Sequence, residues 1–159
     1  MSRKIGMISL GCPKNQVDAE IMLKKLVDAG YVLVQDADKA DIVIVNTCGF
    51  IEDAKKESID AILEMADLKD DGILKKILVT GCLAQRYADE VISEIPEVDG
   101  VIGIGANADI VAVCDAIFEN DEVYSSFPDK ELLPLDGGRI LTTPEYTAYL
   151  KIADGCSNC

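Results

Sequence analysis

The stretch "KILVTGCLAQ" at residues 76–85 decides the fold class, because an apolar β-branched run ends at Gly81 and a helical pattern follows at once. A cysteine, Cys82, lies at that junction. Two earlier stretches repeat the arrangement of strand, cysteine and helix: "IGMISLGCPKN" at 5–15 and "DIVIVNTCGF" at 41–50. Each unit therefore reads as one strand followed by one helix.

Strand-like runs alternate with helical patterns along most of the chain. Strands are predicted near 4–10, 31–35, 41–46, 76–80 and 100–104. Helices are predicted near 16–29, 50–66, 84–95 and 107–119, with Asn15 capping the first and Gly30 ending it. This rhythm is typical of a flavodoxin- or Rossmann-like α/β fold, with a mainly parallel sheet in the order 2-1-3-4-5 and helices on both faces. The connection between the second and third strands is too short for a crossover helix.

The character of the sequence changes after residue 120. Residues 1–120 are predicted to form one domain that carries the three junction cysteines. The acidic segment 121–145, with several prolines and a Gly-Gly pair, indicates a linker or an edge hairpin. In 146–159 a strand-like run from Tyr146 to Ile152 leads to Cys156, so we expect the first strand of a second, truncated domain there.

The charge balance restricts the partners. Lys and Arg number 15 against 29 Asp and Glu, which gives a net charge of −14. Such a field repels phosphate backbones and attracts basic partners, although an acidic surface that serves solubility alone stays an alternative. We expect no direct nucleic-acid contact here, no membrane contact and a cytoplasmic location, since neither a long apolar run nor a signal peptide is visible.

The chain has six cysteines and no histidine. The missing histidine excludes Ser/His/Asp and Cys/His nucleophiles and every histidine-containing metal site. In a cytosolic chain, cysteines bind metals or catalyse more often than they form disulfides. Cys114 lies within an apolar helical pattern and is assigned to the core.

Three thiols are predicted to meet at one edge of the sheet. In the order 2-1-3-4-5, the strands before Cys12, Cys48 and Cys82 are neighbours, about 4.8 Å apart, and their carboxyl ends share an edge. Structural zinc prefers four protein ligands, whereas a 4Fe-4S cluster on three cysteines keeps one iron open for an exogenous ligand. The pattern therefore favours an iron–sulfur cluster. Residues that flank the thiols and are candidates for lining this site are Lys14, Asn15, Thr47, Gln85 and Arg86.

Other uses of these cysteines stay open at this point. All of them could be small core residues. Cys12 or Cys82 could be a single low-pKa nucleophile at a helix start, as in phosphatases or arsenate reductases, but no glycine-rich phosphate loop with its arginine accompanies either. Cys156 and Cys159 could form a redox dithiol, although no helical pattern follows them.

The cysteine motifs resemble the radical S-adenosylmethionine (SAM) methylthiotransferase family. "SLGCPKNQVDAE", "VNTCGFIEDAKKESI" and "VTGCLAQRY" are similar to the three cysteine motifs of its amino-terminal domain, and "YLKIADGC" is similar to the entry to its radical domain. The form "GCPKN" resembles the branch that modifies an aspartate of ribosomal protein twelve of the small subunit. The branch that modifies tRNA adenosine more often has "GCQMN".

This resemblance implies an enzyme with two 4Fe-4S clusters and SAM. It implies that Cys12, Cys48 and Cys82 hold an auxiliary cluster that supplies the sulfur, and that Cys156 is the first ligand of the radical cluster. The radical motif is C-x3-C-x2-C, so Cys159 does not fit its spacing. It also implies an electron donor and a basic ribosomal protein as substrate, and a fragment that is inactive alone. A tRNA adenosine methylthiotransferase, a non-catalytic iron–sulfur or redox module, and a structural interaction domain are the alternatives.

Overall fold

A computed structural model describes residues 2–129 and 135–152 of the chain. The strands are β1 (Lys4–Ser9), β2 (Val32–Leu33), β3 (Ile42–Thr47), β4 (Lys76–Gly81), β5 (Gly100–Ile102) and β6 (Tyr124–Ser126). The helices are α1 (Pro13–Asp28), α2 (Glu52–Asp70), α3 (Cys82–Glu94) and α4 (Ile110–Glu119), with 3₁₀ turns at Ala37–Lys39 and Ile104–Asp109. The strands form one sheet in the order β2-β1-β3-β4-β5-β6, and every neighbouring pair is parallel. The predicted α/β class and strand order are confirmed.

The core lies on both faces of the sheet, as a parallel sheet requires. Alternate residues of β3 point to opposite faces: Val43 and Val45 pack beneath α2 and α3, whereas Ile42 and Ile44 pack beneath α1 and α4. All six residues of β3 are buried. The central strands are therefore held rigidly, and their carboxyl ends are well-defined anchor points.

The second strand is shorter than predicted. Leu33 pairs with Ile5, and Ile5 also pairs with Ile42 on its other side. Because β2 therefore stops at the level where β3 begins, a single 3₁₀ turn at Ala37–Lys39 suffices to connect them. This geometry resolves the apparent shortage of residues between the two strands.

The start of α1 corrects one expectation, and its end confirms another. The helix begins at Pro13 with Cys12 as the N-cap, so the assignment of Asn15 as the cap was wrong. Proline suits the first helical position because its φ is already helical and its missing N–H would have no partner there. Gly30 ends the helix as predicted, with a φ of +96° in the left-handed region.

Part of the segment predicted as a linker or an edge hairpin forms a strand of the main sheet. Tyr124–Ser126 forms β6, which pairs in parallel with β5 rather than folding back on a neighbour. The reason is that α4 returns the chain to the opposite end of the sheet, so the next strand runs in the same direction. The predicted domain boundaries at 120 and 145 stay predictions.

The predicted strand from Tyr146 to Ile152 is not formed in the described part of the chain. A strand needs a neighbour for its backbone groups, and in the described residues this segment instead makes a turn in which the Thr147 N–H donates to the Pro144 carbonyl oxygen over 2.9 Å. The predicted ligand Cys156 and its neighbour Cys159 lie outside the described residues. Within 2–129 and 135–152, no helix has the length and apolarity needed to cross a bilayer.

Candidate metal centre

The three junction cysteines lie at the carboxyl edge of the central strands. Cys48 directly follows β3, Cys82 directly follows β4, and Cys12 is the third residue after β1. The ladder pairs Ser9 with Asn46 and Thr47 with Gly81, so the three strands end nearly level. Cys12 is exposed, Cys82 is partly exposed and Cys48 is buried. The edge thus carries thiols that range from buried to open.

Gly11 brings the backbone before Cys12 against the thiol of Cys48. Its φ is +93°, and a Cβ built there would lie 2.5 Å from Cβ and 2.7 Å from Sγ of Cys48. No side chain fits in that space, since such contacts fall well below van der Waals distance. The glycine therefore allows the first and second cysteine segments to touch.

A second close approach joins the other two cysteine segments. A Cβ on Gly49, directly after Cys48, would lie 3.1 Å from Cα of Leu83 and 3.4 Å from the carbonyl carbon of Cys82. Next to it, a Cβ on Gly81 would lie 2.3 Å from the carbonyl oxygen of Thr47. These two glycines therefore let the backbones of the second and third cysteine segments pass closely.

The electrostatics of Cys82 reflect this crowding. Burial raises the pKa of the Cys82 thiol, negative charge on Cys48 and Cys12 raises it further, and the Arg86 guanidinium opposes the shift. Thiols whose negative charges raise a neighbouring thiol's pKa repel one another when they are deprotonated. A bound cation would remove that repulsion, because metals bind the deprotonated form.

Ser58 holds the backbone of Cys48 and was missed by the sequence analysis. This buried serine of α2 accepts a hydrogen bond from the Cys48 N–H over 3.0 Å and lies 3.0 Å from the Cys48 carbonyl oxygen, to which it donates. Both backbone groups of the cysteine are thereby fixed. The one sequence feature that could have pointed to Ser58 is that it is a polar residue within the helical pattern of 50–66.

Asn15 ties the start of α1 to the ends of two strands. Its Nδ2 donates to the carbonyl oxygens of Leu10 over 2.8 Å and of Thr47 over 3.0 Å. In return, Asn46 Nδ2 donates to the Asn15 carbonyl oxygen over 2.8 Å. Asn15 therefore holds together the backbone at the carboxyl edge of the sheet that carries the three junction cysteines, called the cysteine edge below.

The other residues that flank the thiols differ in what they contact. Thr47 Oγ1 donates to the Thr80 carbonyl oxygen over 2.6 Å, which strengthens the sheet beside the cysteines. Gln85 Oε1 accepts the Ile104 N–H over 3.0 Å and so binds α3 to the segment after β5. Arg86 Nη1 lies 3.5 Å from the Gly49 carbonyl oxygen. Lys14 is exposed on the first turn of α1.

The fourth described cysteine, Cys114, lies elsewhere. It is fully buried on α4 within the core beneath α1 and α4. Burial raises the pKa of its thiol to about 12, so it stays protonated at neutral pH. Its prediction as a core residue is confirmed.

The donor set fits a cluster better than a single ion. Within the described ranges, no group of three His, Cys, Asp or Glu side chains is arranged to hold a metal ion. A tetrahedral zinc with bonds of about 2.3 Å would need its thiolates roughly 3.8 Å apart. A cube binds each thiolate to a different iron, which suits three thiols on successive strands. The close approaches at Gly11 and Gly49 bring the three cysteine segments together.

Residues 4–103 match the model of a family described as Uncharacterized protein family UPF0004. That range is well over half of the chain and contains Cys12, Cys48 and Cys82, but not Cys114 or Cys156. The chain belongs to this family. The three cysteines at the sheet edge thus lie inside the region that matches UPF0004, and the core cysteine lies outside that region.

Curated relatives carry a functional name. The chain is 50% identical over 155 residues to the ribosomal protein uS12 methylthiotransferase RimO of Clostridioides difficile, which covers 98% of this chain and 35% of that protein. It is 52% identical over 157 residues to the RimO of Thermoanaerobacter sp., covering 98% and 36%. The chain spans about a third of the length of the curated relatives it matches. The predicted resemblance to methylthiotransferases is confirmed.

Proposed function

We propose that the chain is the auxiliary-cluster domain of a longer radical SAM methylthiotransferase that modifies the β-carbon of an aspartate in ribosomal protein uS12. The observation that carries this proposal is the placement of three thiols after three neighbouring strands, with glycines where their segments touch. The similarity to relatives named uS12 methylthiotransferases supports the same reaction. A cytoplasmic location and an external electron donor belong to the proposal.

Cys12, Cys48 and Cys82 would hold the auxiliary cluster. When bound, a 4Fe-4S cluster with one iron free of protein ligands supplies sulfur chemistry to a substrate carbon. The chain orients the ligands: Ser58 fixes the backbone of Cys48, and the burial of Cys48 keeps water from that side. The exposed side, at Cys12, is where a substrate would approach.

Cys156 would be the first ligand of the second cluster, where SAM binds in the longer enzyme. The two clusters and the aspartate carbon must be held in line, because hydrogen abstraction and sulfur transfer act on the same atom. The catalytic site would therefore lie between the domain described here and the part of the enzyme that carries the radical motif.

The charge of the chain supports a protein substrate. A net charge of −14 attracts a basic ribosomal protein and repels the tRNA backbone. A tRNA substrate is the alternative outcome of the same assay.

The test incubates the reconstituted longer enzyme with SAM, sulfide and a reductant, and offers uS12 and tRNA in parallel. Mass spectrometry should find a methylthio group in place of one hydrogen on the uS12 aspartate and no change on tRNA. Cys48→Ala should abolish the product, whereas Cys114→Ala, a matched cysteine outside the site, should retain it. Product on tRNA alone, or none from an enzyme with full iron content, would overturn the proposal.

A further inference from the structure

Residues 138–151, here called the strap, pack along α1. Gly138 lies beside Lys24, where an added Cβ would be 3.7 Å from the lysine side chain. Further on, the Ile140 N–H donates to the Glu20 carbonyl oxygen over 3.1 Å. Gln16 then donates to Thr142 Oγ1 over 3.1 Å. The strap therefore runs from the middle of α1 toward its amino-terminal end, where the cysteine edge lies.

Glu20 anchors the middle of the strap. Its side chain is buried, with 1% of the residue exposed. Oε1 accepts hydrogen bonds from the Thr142 N–H over 2.9 Å and from the Thr142 hydroxyl over 3.0 Å. Arg139 Nε lies 3.7 Å from Oε2. A buried carboxylate is costly without such partners, so Glu20 specifies where the strap lies.

Asp18 and Lys151 join the end of the strap to α1. Lys151 Nζ donates to Asp18 Oδ1 over 2.7 Å, and their side chains are only 14% and 10% exposed. Asp18 lies on α1 six positions after Cys12, the N-cap of that helix at the edge of the sheet that carries the cysteines. A low exposure makes this pair stronger and less screened by salt than an ordinary surface ion pair.

We propose that Asp18 and Lys151 are positioning residues, whose ion pair holds the chain that leads to Cys156 beside α1, the helix that Cys12 caps. This inference rests on the proposed function. Cys156 follows Lys151 by five residues, which reach at most about 18 Å when extended. The pair therefore limits how far the second cluster can lie from the first. Small errors in that placement reduce the capture of a substrate radical.

Hydrogen exchange of the iron-free chain tests the contact itself. In Asp18→Asn and in Lys151→Met, a peptide covering 138–152 should exchange about ten-fold faster than in the wild type. The charge swap Asp18→Lys with Lys151→Asp should restore slow exchange. Lys39→Met, which breaks the exposed Lys39–Asp36 ion pair on the 3₁₀ turn before β3, is the control and should change nothing. Unchanged exchange in both single variants would overturn the inference.

Reaction coupling tests the role in the longer enzyme. Lys151→Met should keep its iron and still cleave SAM, but the 5′-deoxyadenosine formed per methylthiolated uS12 should rise about ten-fold. A merely structural role would lower both products together, and that result, or an unchanged ratio, would overturn the inference. If the wild-type enzyme makes no methylthio product, the proposed function is wrong, while the exchange comparison still decides whether the pair holds the strap.

Discussion

Alanine at Gly81 should destabilise the protein much more than alanine at Gly30, although both glycines have a φ of +96°. At Gly30, an added Cβ would have nothing within 4 Å. The cost there is that of a left-handed backbone alone, about 1–2 kcal/mol. The two sites therefore share a positive φ but differ in their surroundings, and Gly81, with a ψ of −165°, lies in a backbone region that is open almost only to glycine.

At Gly81 the added Cβ would lie 2.3 Å from the carbonyl oxygen and 2.7 Å from the nitrogen of Thr47. Those atoms belong to the fully buried strand β3 and have no soft side chain to move. Separating them perturbs the pairing of Thr47 with Gly81 and the bond from Thr47 to Thr80, worth about 1 kcal/mol each, and adds an overpacking cost of about 1–3 kcal/mol. With the backbone strain, the total is about 4–7 kcal/mol.

Urea unfolding followed by circular dichroism measures both costs. The free energy of unfolding of Gly81→Ala should fall at least about 2 kcal/mol further below the wild type than that of Gly30→Ala. A complete loss of the cooperative transition in Gly81→Ala alone would agree with the upper end of this range, since small domains have about 5–15 kcal/mol in total. Equal costs at the two sites, within about 1 kcal/mol, would refute the close approach of β4 and Thr47.

Three further predictions concern single side chains. Ser58→Ala should lower the free energy of unfolding by about 1–3 kcal/mol in a urea titration, because the buried N–H of Cys48 loses its partner; no loss would contradict this contact. Cys114 should resist iodoacetamide at pH 8 until the protein unfolds. Its folded pKa of about 12 exceeds the unfolded value of about 8.5, so its contribution to the free energy of unfolding is fully present below about pH 8.5. Above that pH the free energy of unfolding should fall by up to about 1.4 kcal/mol per pH unit, and it should fall less steeply in Cys114→Ala. The hydrogen bond from Lys75 lowers the pKa of Asp41, so the Asp41 carboxylate contributes to the free energy of unfolding above about pH 4, and this contribution is lost as the pH falls. In Asp41→Asn the free energy of unfolding should depend less on pH in the acid range, and an unchanged midpoint of acid unfolding would contradict this.

The central part of the fold was predictable because each step depends on local patterns. Apolar runs that are followed by an adjacent glycine and cysteine, in either order, and then by a helical pattern identify β1, β3 and β4 one by one. The rule that parallel strands share a carboxyl edge then brings Cys12 and Cys48 to one place. No contact between distant side chains had to be known for that inference.

The remaining features depend on contacts between distant parts of the chain. The short edge strand β6 has little apolar pattern of its own and forms because α4 delivers it next to β5. The pairing of Glu20 with Thr142 joins residues 122 positions apart, and neither residue marks the contact in its local sequence. Ser58 likewise acquires its role from the packing of α2 against the end of β3.

Iron binding tests the central claim most directly. Anaerobic reconstitution of the chain, followed by iron analysis and Mössbauer spectroscopy, should find about four irons in a 4Fe-4S cluster. Cys48→Ala should lose this cluster, and Cys114→Ala, the matched control in the core, should keep it. Absence of iron uptake by the folded wild-type chain, or a cluster that survives Cys48→Ala, would contradict the assignment of the three thiols to one cofactor.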